Sequence, residues 1–202
     1  MLIEKELLRF CAKKTQEIAE WYDRECVLPS ENGDPFPRSP HDLHHMMMGL
    51  HGREIHHRKL PFDQKAVPYR SFIIPYEDRF EIYYASGMTE PQIRFYQTKE
   101  LFQIHLYQAG FETNDIVDLV DNMILRESPA SHDLSLGHSA TADTLGELAA
   151  MQFLFPLSER RAVLAMGKVR PKSTILAEKY GVPPFVIQRS FNVVPGLGDT
   201  FD

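Results

Sequence analysis

Arg94-Phe95-Tyr96-Gln97-Thr98-Lys99-Glu100-Leu101-Phe102-Gln103-Ile104-His105-Leu106 is the most informative part of the sequence. Its apolar residues cover most of the circumference of a helix, and a helix that is apolar almost all round is a buried one. One polar wedge remains, made of Tyr96, Lys99, Glu100, Gln103 and Tyr107. Because buried polar groups need partners, this wedge is predicted to face a cleft or to pair internally.

Three blocks of sequence around this helix carry a family resemblance. Residues 79–91, RFEIYYASGMTEP, precede the helix, and residues 143–156, DTLGELAAMQFLFP, and 175–189, ILAEKYGVPPFVIQR, follow it. These blocks resemble three segments of the ImmA/IrrE family of small metallopeptidases. The first resembles the family's edge strand and turn, the second its E-x-E-A-x-x-F-A-x-x-L-L-M-P segment, and the third its L-A-x-x-F-G-V-S-x-x-A-V-x-x-R segment. The resemblance covers residues 69–191 and implies an α+β, helix-rich, zincin-like metallopeptidase fold with a small antiparallel sheet.

The departures from the family pattern fall on the metal ligands. In an H-E-x-x-H helix two histidines one turn apart bind zinc, and the glutamate activates water. The aligned residues here are Lys99, Glu100 and Gln103. A protonated lysine has no lone pair, and a glutamine amide is a poor zinc ligand beside imidazole. The resemblance places the third ligand near Asp143, so it implies a vestigial site without metal, cofactor or catalytic residue: Lys99, Glu100, Gln103, Asp143 and Glu147.

The expected role of Lys99 is to replace the charge of the lost metal. Its ammonium is predicted to neutralise Glu100 together with Asp143 or Glu147, which share a helix face one turn apart. A buried carboxylate cluster without a cation would be costly or would protonate. The alternative is that the polar wedge is a solvated stripe that the two later acids never meet.

The function implied by the resemblance is regulatory. Active members of the family cleave helix-turn-helix repressors, so a member without ligands is expected to be a pseudoenzyme that binds a protein partner, such as a helix-turn-helix transcriptional repressor. We expect the partner to lie across Tyr83, Tyr96 and Tyr107 in a cleft. Arg79, Glu81 and Tyr83 of the supposed edge strand would pair an extended peptide by strand addition.

Two other functions stay open from the sequence. The first alternative is a metal-dependent hydrolase with a relocated site that uses Glu100, His105 and the histidines of residues 41–57. The second is DNA binding through the two C-terminal helices, which the net charge of −6 disfavours because phosphate binding needs a basic face.

Local patterns predict the organisation of the chain. Residues 1–66 are predicted as an N-terminal helical region with a Pro- and His-rich connection, 67–195 as the ImmA/IrrE-like domain and 196–202 as a tail. Ser39 and Thr89 are predicted helix caps, the latter with Gln92 as its capping-box partner. Strands are predicted at 69–76 and 79–85. Helices are predicted at 4–26, 40–50, from the Thr89 cap through the central stretch, and at 113–126, 140–155 and 158–167, with a final helical pair at 173–191.

A histidine stripe lies on the helix that begins at Pro40. His41, His44 and His45 lie opposite Leu43 and its apolar neighbours, which is typical of the solvated face of an amphipathic helix; chelation of a divalent ion is the alternative. The chain has no signal-peptide pattern, no apolar run long enough to span a membrane, and two cysteines without disulfide or metal spacing. These features predict a cytoplasmic protein with no membrane partner.

Overall fold

The computed structural model of the protein describes residues 5–26, 36–63, 70–108 and 138–197. The described residues form seven α-helices, three strands and one 3₁₀ turn. In chain order they are α1 (Lys5–Glu25), α2 (Pro40–His51), β1 (Glu54–Asp63), β2 (Ser71–Pro75), β3 (Arg79–Ser86), α3 (Glu90–Gln108), α4 (His138–Leu154), α5 (Leu157–Ala165), the 3₁₀ turn (Gly167–Val169), α6 (Ser173–Tyr180) and α7 (Pro184–Leu197). The class is therefore α+β and helix-rich, as predicted.

The sheet is mixed rather than antiparallel. Its strand order is β1-β3-β2, with β1 parallel and β2 antiparallel to β3. The prediction of a purely antiparallel sheet was wrong because β1 was not recognised. Among its residues Ile55 is buried, while His56, His57, Arg58 and Lys59 give no alternation of apolar and polar residues.

This topology also corrects the position of β3. Residues 79–85 were predicted as an edge strand, but β3 is the central strand and pairs on both sides. Its neighbours are Glu54–Asp63 on one side and Ser71–Pro75 on the other. The backbone groups of β3 are therefore used within the sheet, and a peptide has no free edge at Arg79, Glu81 or Tyr83 to add to.

The predicted helix caps are present. Ser39 precedes α2, and its hydroxyl accepts a hydrogen bond from the Asp42 N–H at 3.3 Å. At the start of α3 the Gln92 side chain accepts from the Thr89 N–H at 2.8 Å. These bonds satisfy backbone donors that the first turn of a helix leaves unpaired.

The central position of α3 follows from its composition. The helix packs against the sheet on one side and against α4 on the other, with α1 and α2 alongside. Phe95, Leu101, Phe102, Ile104 and Leu106 lie in one hydrophobic core with residues from all the other described helices, and Val163 is the contribution of α5. The polar wedge of α3 is thereby enclosed, which sets the conditions for the site.

Some predictions fall outside the described residues. These are the helix at 113–126, the domain boundary at residue 66 and most of the tail, although α7 extends to Leu197. No helix in the described ranges combines the length and the apolar character that crossing a bilayer requires.

Candidate functional site

The vestigial site forms where α3 crosses α4. Lys99 and Glu100 on α3 are 3% and 0% exposed, and the Lys99 Nζ lies 2.9 Å from Glu100 Oε1. Asp143, from the first half of α4, accepts a hydrogen bond from the Lys99 ammonium through Oδ1. The structure thus brings together the lysine, the motif glutamate and the predicted acidic residue of the later helix.

Gln103 completes the contact between the two helices. Its Nε2 lies 3.5 Å from Asp143 Oδ1, so its amide donates to the same carboxylate oxygen that Lys99 binds. The close approach of α3 and α4 depends on Gly146, where an added Cβ would lie 2.6 Å from Gln103 Cγ and 3.2 Å from the Lys99 carbonyl oxygen. A side chain at position 146 would therefore push apart the helices that hold the site.

The choice between Asp143 and Glu147 is settled by geometry. Glu147 lies one turn further along α4 and pairs with Arg189 of α7, at 2.5 Å from the guanidinium Nη1. Burial raises the pKa of Glu147, and the attraction of Arg189 opposes that rise. Asp143 is the acid that meets Lys99, and Glu147 instead connects α4 to α7.

One residue of the site was missed by the sequence analysis. Ser71, the first residue of β2, donates its hydroxyl hydrogen bond to Glu100 Oε1. Its only sequence signal is a polar residue that opens an apolar strand, which is too common a pattern to single out. Glu100 Oε2 is also buried, and no donor among the described residues reaches it.

The protonation states follow from burial and charge. Burial alone lowers the pKa of Lys99, but the attraction of Glu100 and Asp143 outweighs it, so the net pKa is raised and the amine stays charged. Burial raises the pKa of Glu100, while Lys99 opposes that rise. A charged lysine is not a nucleophile and offers no lone pair to a metal.

The residues present do not fit the zinc ion that active members of the resembled family bind. A metal at this position would meet the Lys99 ammonium, which is held by Glu100 and Asp143, and the donating amide of Gln103. A protonated amine supplies no electron pair, a glutamine amide is a poor zinc ligand beside imidazole, and Asp143 alone cannot make a tetrahedral site. The cluster is an ion pair with hydrogen-bonded neighbours, and no step of metal-assisted hydrolysis can be derived from it.

The three tyrosines predicted to line one cleft are not brought together. The Tyr83 hydroxyl donates to Glu81 Oε2 at 2.6 Å, on one face of β3. Tyr107 packs 6.4 Å from the ring of Phe80, which precedes Glu81 and therefore points to the opposite face. Tyr96 is buried near the site, with its ring centroid 5.9 Å from Lys99 Nζ. A single cleft across Tyr83, Tyr96 and Tyr107 is therefore excluded.

The relocated metal site of the alternative reading is not formed either. His105 Nδ1 lies 3.4 Å from His51 Nε2, and His44 Nδ1 lies 2.8 Å from His57 Nε2. Across the part of the chain that the structure describes, no three His, Cys, Asp or Glu side chains are grouped so as to hold a metal ion. The histidines instead form hydrogen-bonded pairs.

Burial keeps two of these histidines neutral. Burial is the main reason why the pKa of His105 falls to about 4, and its neighbour His51 lowers it further. The pKa of His44 also falls to about 4, first because of burial and then because of His57. His41 and His45 lie on the exposed side of α2 with 3.3 Å between their Nε2 atoms. The stripe is thus solvated at His41 and His45 and partly buried at His44.

The C-terminal helices pack into the domain. Ala177 and Ile187, two of the positions that suggested a helix-turn-helix, are buried in the shared core. Gly181 ends α6 at φ 61°, a left-handed conformation that favours glycine. On α7, Arg189 is engaged by Glu147.

Comparison with known proteins gives little to add to this geometry. No protein-family model and no curated protein matches the sequence. Among solved structures the chain is similar to a Mycobacterium tuberculosis transcriptional regulator, with 13% sequence identity and a TM-score of 0.46. The match covers 92% of this chain and 51% of the other, so the chain spans about half the length of that regulator. At this level the similarity carries no argument about family or function.

Proposed function

We propose that this protein is a catalytically inactive ImmA/IrrE-like protein that acts as a cytoplasmic, protein-binding regulatory module. The class of partner that the family resemblance indicates is a helix-turn-helix transcriptional repressor. The observation that carries the proposal is the Lys99 ammonium held between Glu100 and Asp143, at the positions where the family holds its metal. The ammonium replaces the positive charge of a metal but not its Lewis acidity, so the fold is retained without hydrolysis.

The free edge of β2 is the part of the fold that suits a peptide partner. Arg70 C=O accepts from Ala85 N–H, and Tyr76 N–H donates to Arg79 C=O, so the even-numbered residues of this strand bond to β3. The backbone groups of Ser71, Ile73 and Pro75 then point to the other side.

No strand in the described ranges pairs with that side of β2. Pro75 lacks an N–H on this outward side, and an edge strand is where a sheet tolerates proline. The edge begins at Ser71, whose hydroxyl bonds to Glu100. A peptide added to β2 would therefore run beside the vestigial site, as an extended substrate would run in an active enzyme.

A proline substitution at the free edge tests the proposal. Ile73→Pro removes the outward N–H without removing a bond to β3, so it should abolish binding of a peptide that adds to β2. Ile73 also packs partly against the core, so Ile73→Ala is the matched control: it loses the side chain and keeps the N–H. The probe is a helix-turn-helix repressor that an active ImmA/IrrE-like enzyme cleaves, with binding measured by calorimetry and repressor integrity by mass spectrometry.

Each outcome bears on the proposal. We expect an intact repressor that binds the wild type and the Ile73→Ala variant but not the Ile73→Pro variant. Cleavage of the repressor would contradict the loss of catalysis. Equal binding by both variants would rule out strand addition at β2, and absence of binding to the wild type would rule out this partner.

A further inference from the structure

The segment from Leu164 to Ile175 carries an unusual concentration of exposed aliphatic side chains. Of the seven large hydrophobic residues that are exposed in the described part of the chain, four lie in this segment. Their exposed fractions run from 37% for Leu164 to 86% for Val169, with Met166 and Ile175 between them. Single exposed hydrophobic residues are ordinary, but a cluster of them marks an interaction surface.

The same segment is the most basic part of the chain. Residues 164–175 contain three lysines and arginines and no aspartate or glutamate, although the whole chain carries a net charge of −6. Lys168, Arg170 and Lys172 are exposed, and none of them lies within ion-pair distance of a carboxylate among the described residues. The surface therefore combines exposed aliphatic groups with positive charge that no carboxylate of the described residues neutralises, although the Arg170 guanidinium also lies 5.9 Å from the centroid of the Phe191 ring. We call residues 164–175 the basic aliphatic loop.

The backbone of this loop is held by its own hydrogen bonds. Met166 N–H donates to Val163 C=O and Val169 N–H donates to Met166 C=O, both at 3.2 Å, around the 3₁₀ turn. Gly167 has φ +59°, the left-handed conformation that lets the chain leave α5 sharply. Val169 is thus presented at a defined position, which lowers the entropy that binding would cost.

We propose that the basic aliphatic loop docks an acidic protein segment that carries aliphatic side chains. The lysines and Arg170 would meet its carboxylates, and Met166, Val169 and Ile175 would be covered by its apolar face. Nucleic acid fits less well, because phosphates would use the charges and leave the aliphatic groups in water. Single strands bind mainly by stacking on aromatic side chains, and the loop has none. This surface is distinct from the β2 edge and does not depend on the function proposed above.

The test uses a fluorescent amphipathic peptide with leucine on one helical face and glutamate on the other. Binding to the full chain is followed by fluorescence anisotropy. The apolar variant is Met166→Ser with Val169→Ser, and the charge variant is Lys168→Ala with Lys172→Ala. The controls change matched exposed residues elsewhere: Leu50→Ser on α2, where Leu50 is 43% exposed, and Lys13→Ala on α1.

We expect both loop variants to weaken binding about tenfold or more, and both control variants to bind as the wild type does. The counterpart peptide with lysine in place of glutamate should not bind. Unchanged unfolding midpoints would show that the loop variants fold, since the replaced side chains lie at the surface.

Three results would overturn the proposal. The first is peptide binding that the Met166→Ser, Val169→Ser variant leaves unchanged. The second is tighter binding to a DNA duplex that only the charge variant weakens, which would indicate a nucleic-acid ligand. The third is binding to phosphatidylserine vesicles without binding to the peptide, which would indicate a lipid surface.

Discussion

Replacing Lys99 by methionine tests whether the Lys99 charge stabilises the buried carboxylate of Glu100. The Lys99 Nζ is the cation closest to Glu100, at 2.9 Å from Oε1, and Glu100 is fully buried. Methionine has a similar length and no charge, so Lys99→Met leaves the Glu100 carboxylate without its counter-ion. Asp143 is 38% exposed and can turn to water, so the cost falls mainly on Glu100.

The magnitude can be worked from the protonation of Glu100. In the variant the folded state of lowest free energy has a neutral Glu100, whose ordinary pKa is 4.5. Keeping this group protonated costs about 1.4 kcal/mol per pH unit above that value, hence about 3 kcal/mol at pH 7 and under about 1 kcal/mol at pH 5. The sign follows because the folded variant binds more protons than the unfolded chain, so its stability falls as the pH rises.

Urea denaturation of the wild type and the Lys99→Met variant at pH 5 and pH 7 measures this difference. We expect the loss of unfolding free energy in the variant to be several times larger at pH 7. Adding Glu100→Gln to the Lys99→Met variant should restore much of the stability at pH 7, because the amide is neutral at both values. An equal loss at both pH values, or no loss at all, would refute the reasoning, and the second result would mean that Lys99 is solvated.

Three further predictions concern burial, packing and zinc binding by a designed double variant. Burial lowers the pKa of His105 from 6.5 to about 4, so the unfolded chain binds more protons than the folded one between these values. The free energy of unfolding of the wild type should therefore fall by up to about 3 kcal/mol as the pH falls from 6.5 to 4. His105→Gln should flatten this pH profile. Gly146→Ala should destabilise the fold by about 1–3 kcal/mol, because its Cβ would contact Gln103. The control Gly49→Ala lies within α2, where an added Cβ meets no atom within 4 Å, so it should stabilise the fold by up to about 1 kcal/mol. Thermal melts of both variants measure the difference. Lys99→His with Gln103→His should bind zinc in calorimetry more tightly than Lys99→His alone, and a folded double variant that binds no zinc would contradict the placement of the site.

Local patterns were sufficient for several features of this fold. The near-continuous apolar surface of α3 indicated a buried helix, and Lys99 and Glu100 are buried as a consequence. Ser39 and Thr89 marked helix starts because a cap depends on residues within one turn. These features depend on neighbours three or four positions apart, so they can be read from the sequence.

The helix-rich class, the buried α3 and the polar wedge that needed partners could therefore all be predicted from local sequence patterns. Only the tertiary structure decided that Asp143 rather than Glu147 meets Lys99, because both lie on the same face of α4 and the crossing at Gly146 selects between them. It also decided the order β1-β3-β2, which makes β2 an edge and β3 the centre. Strand order and helix crossing depend on contacts between residues far apart in the chain, and such contacts leave no local periodicity in the sequence.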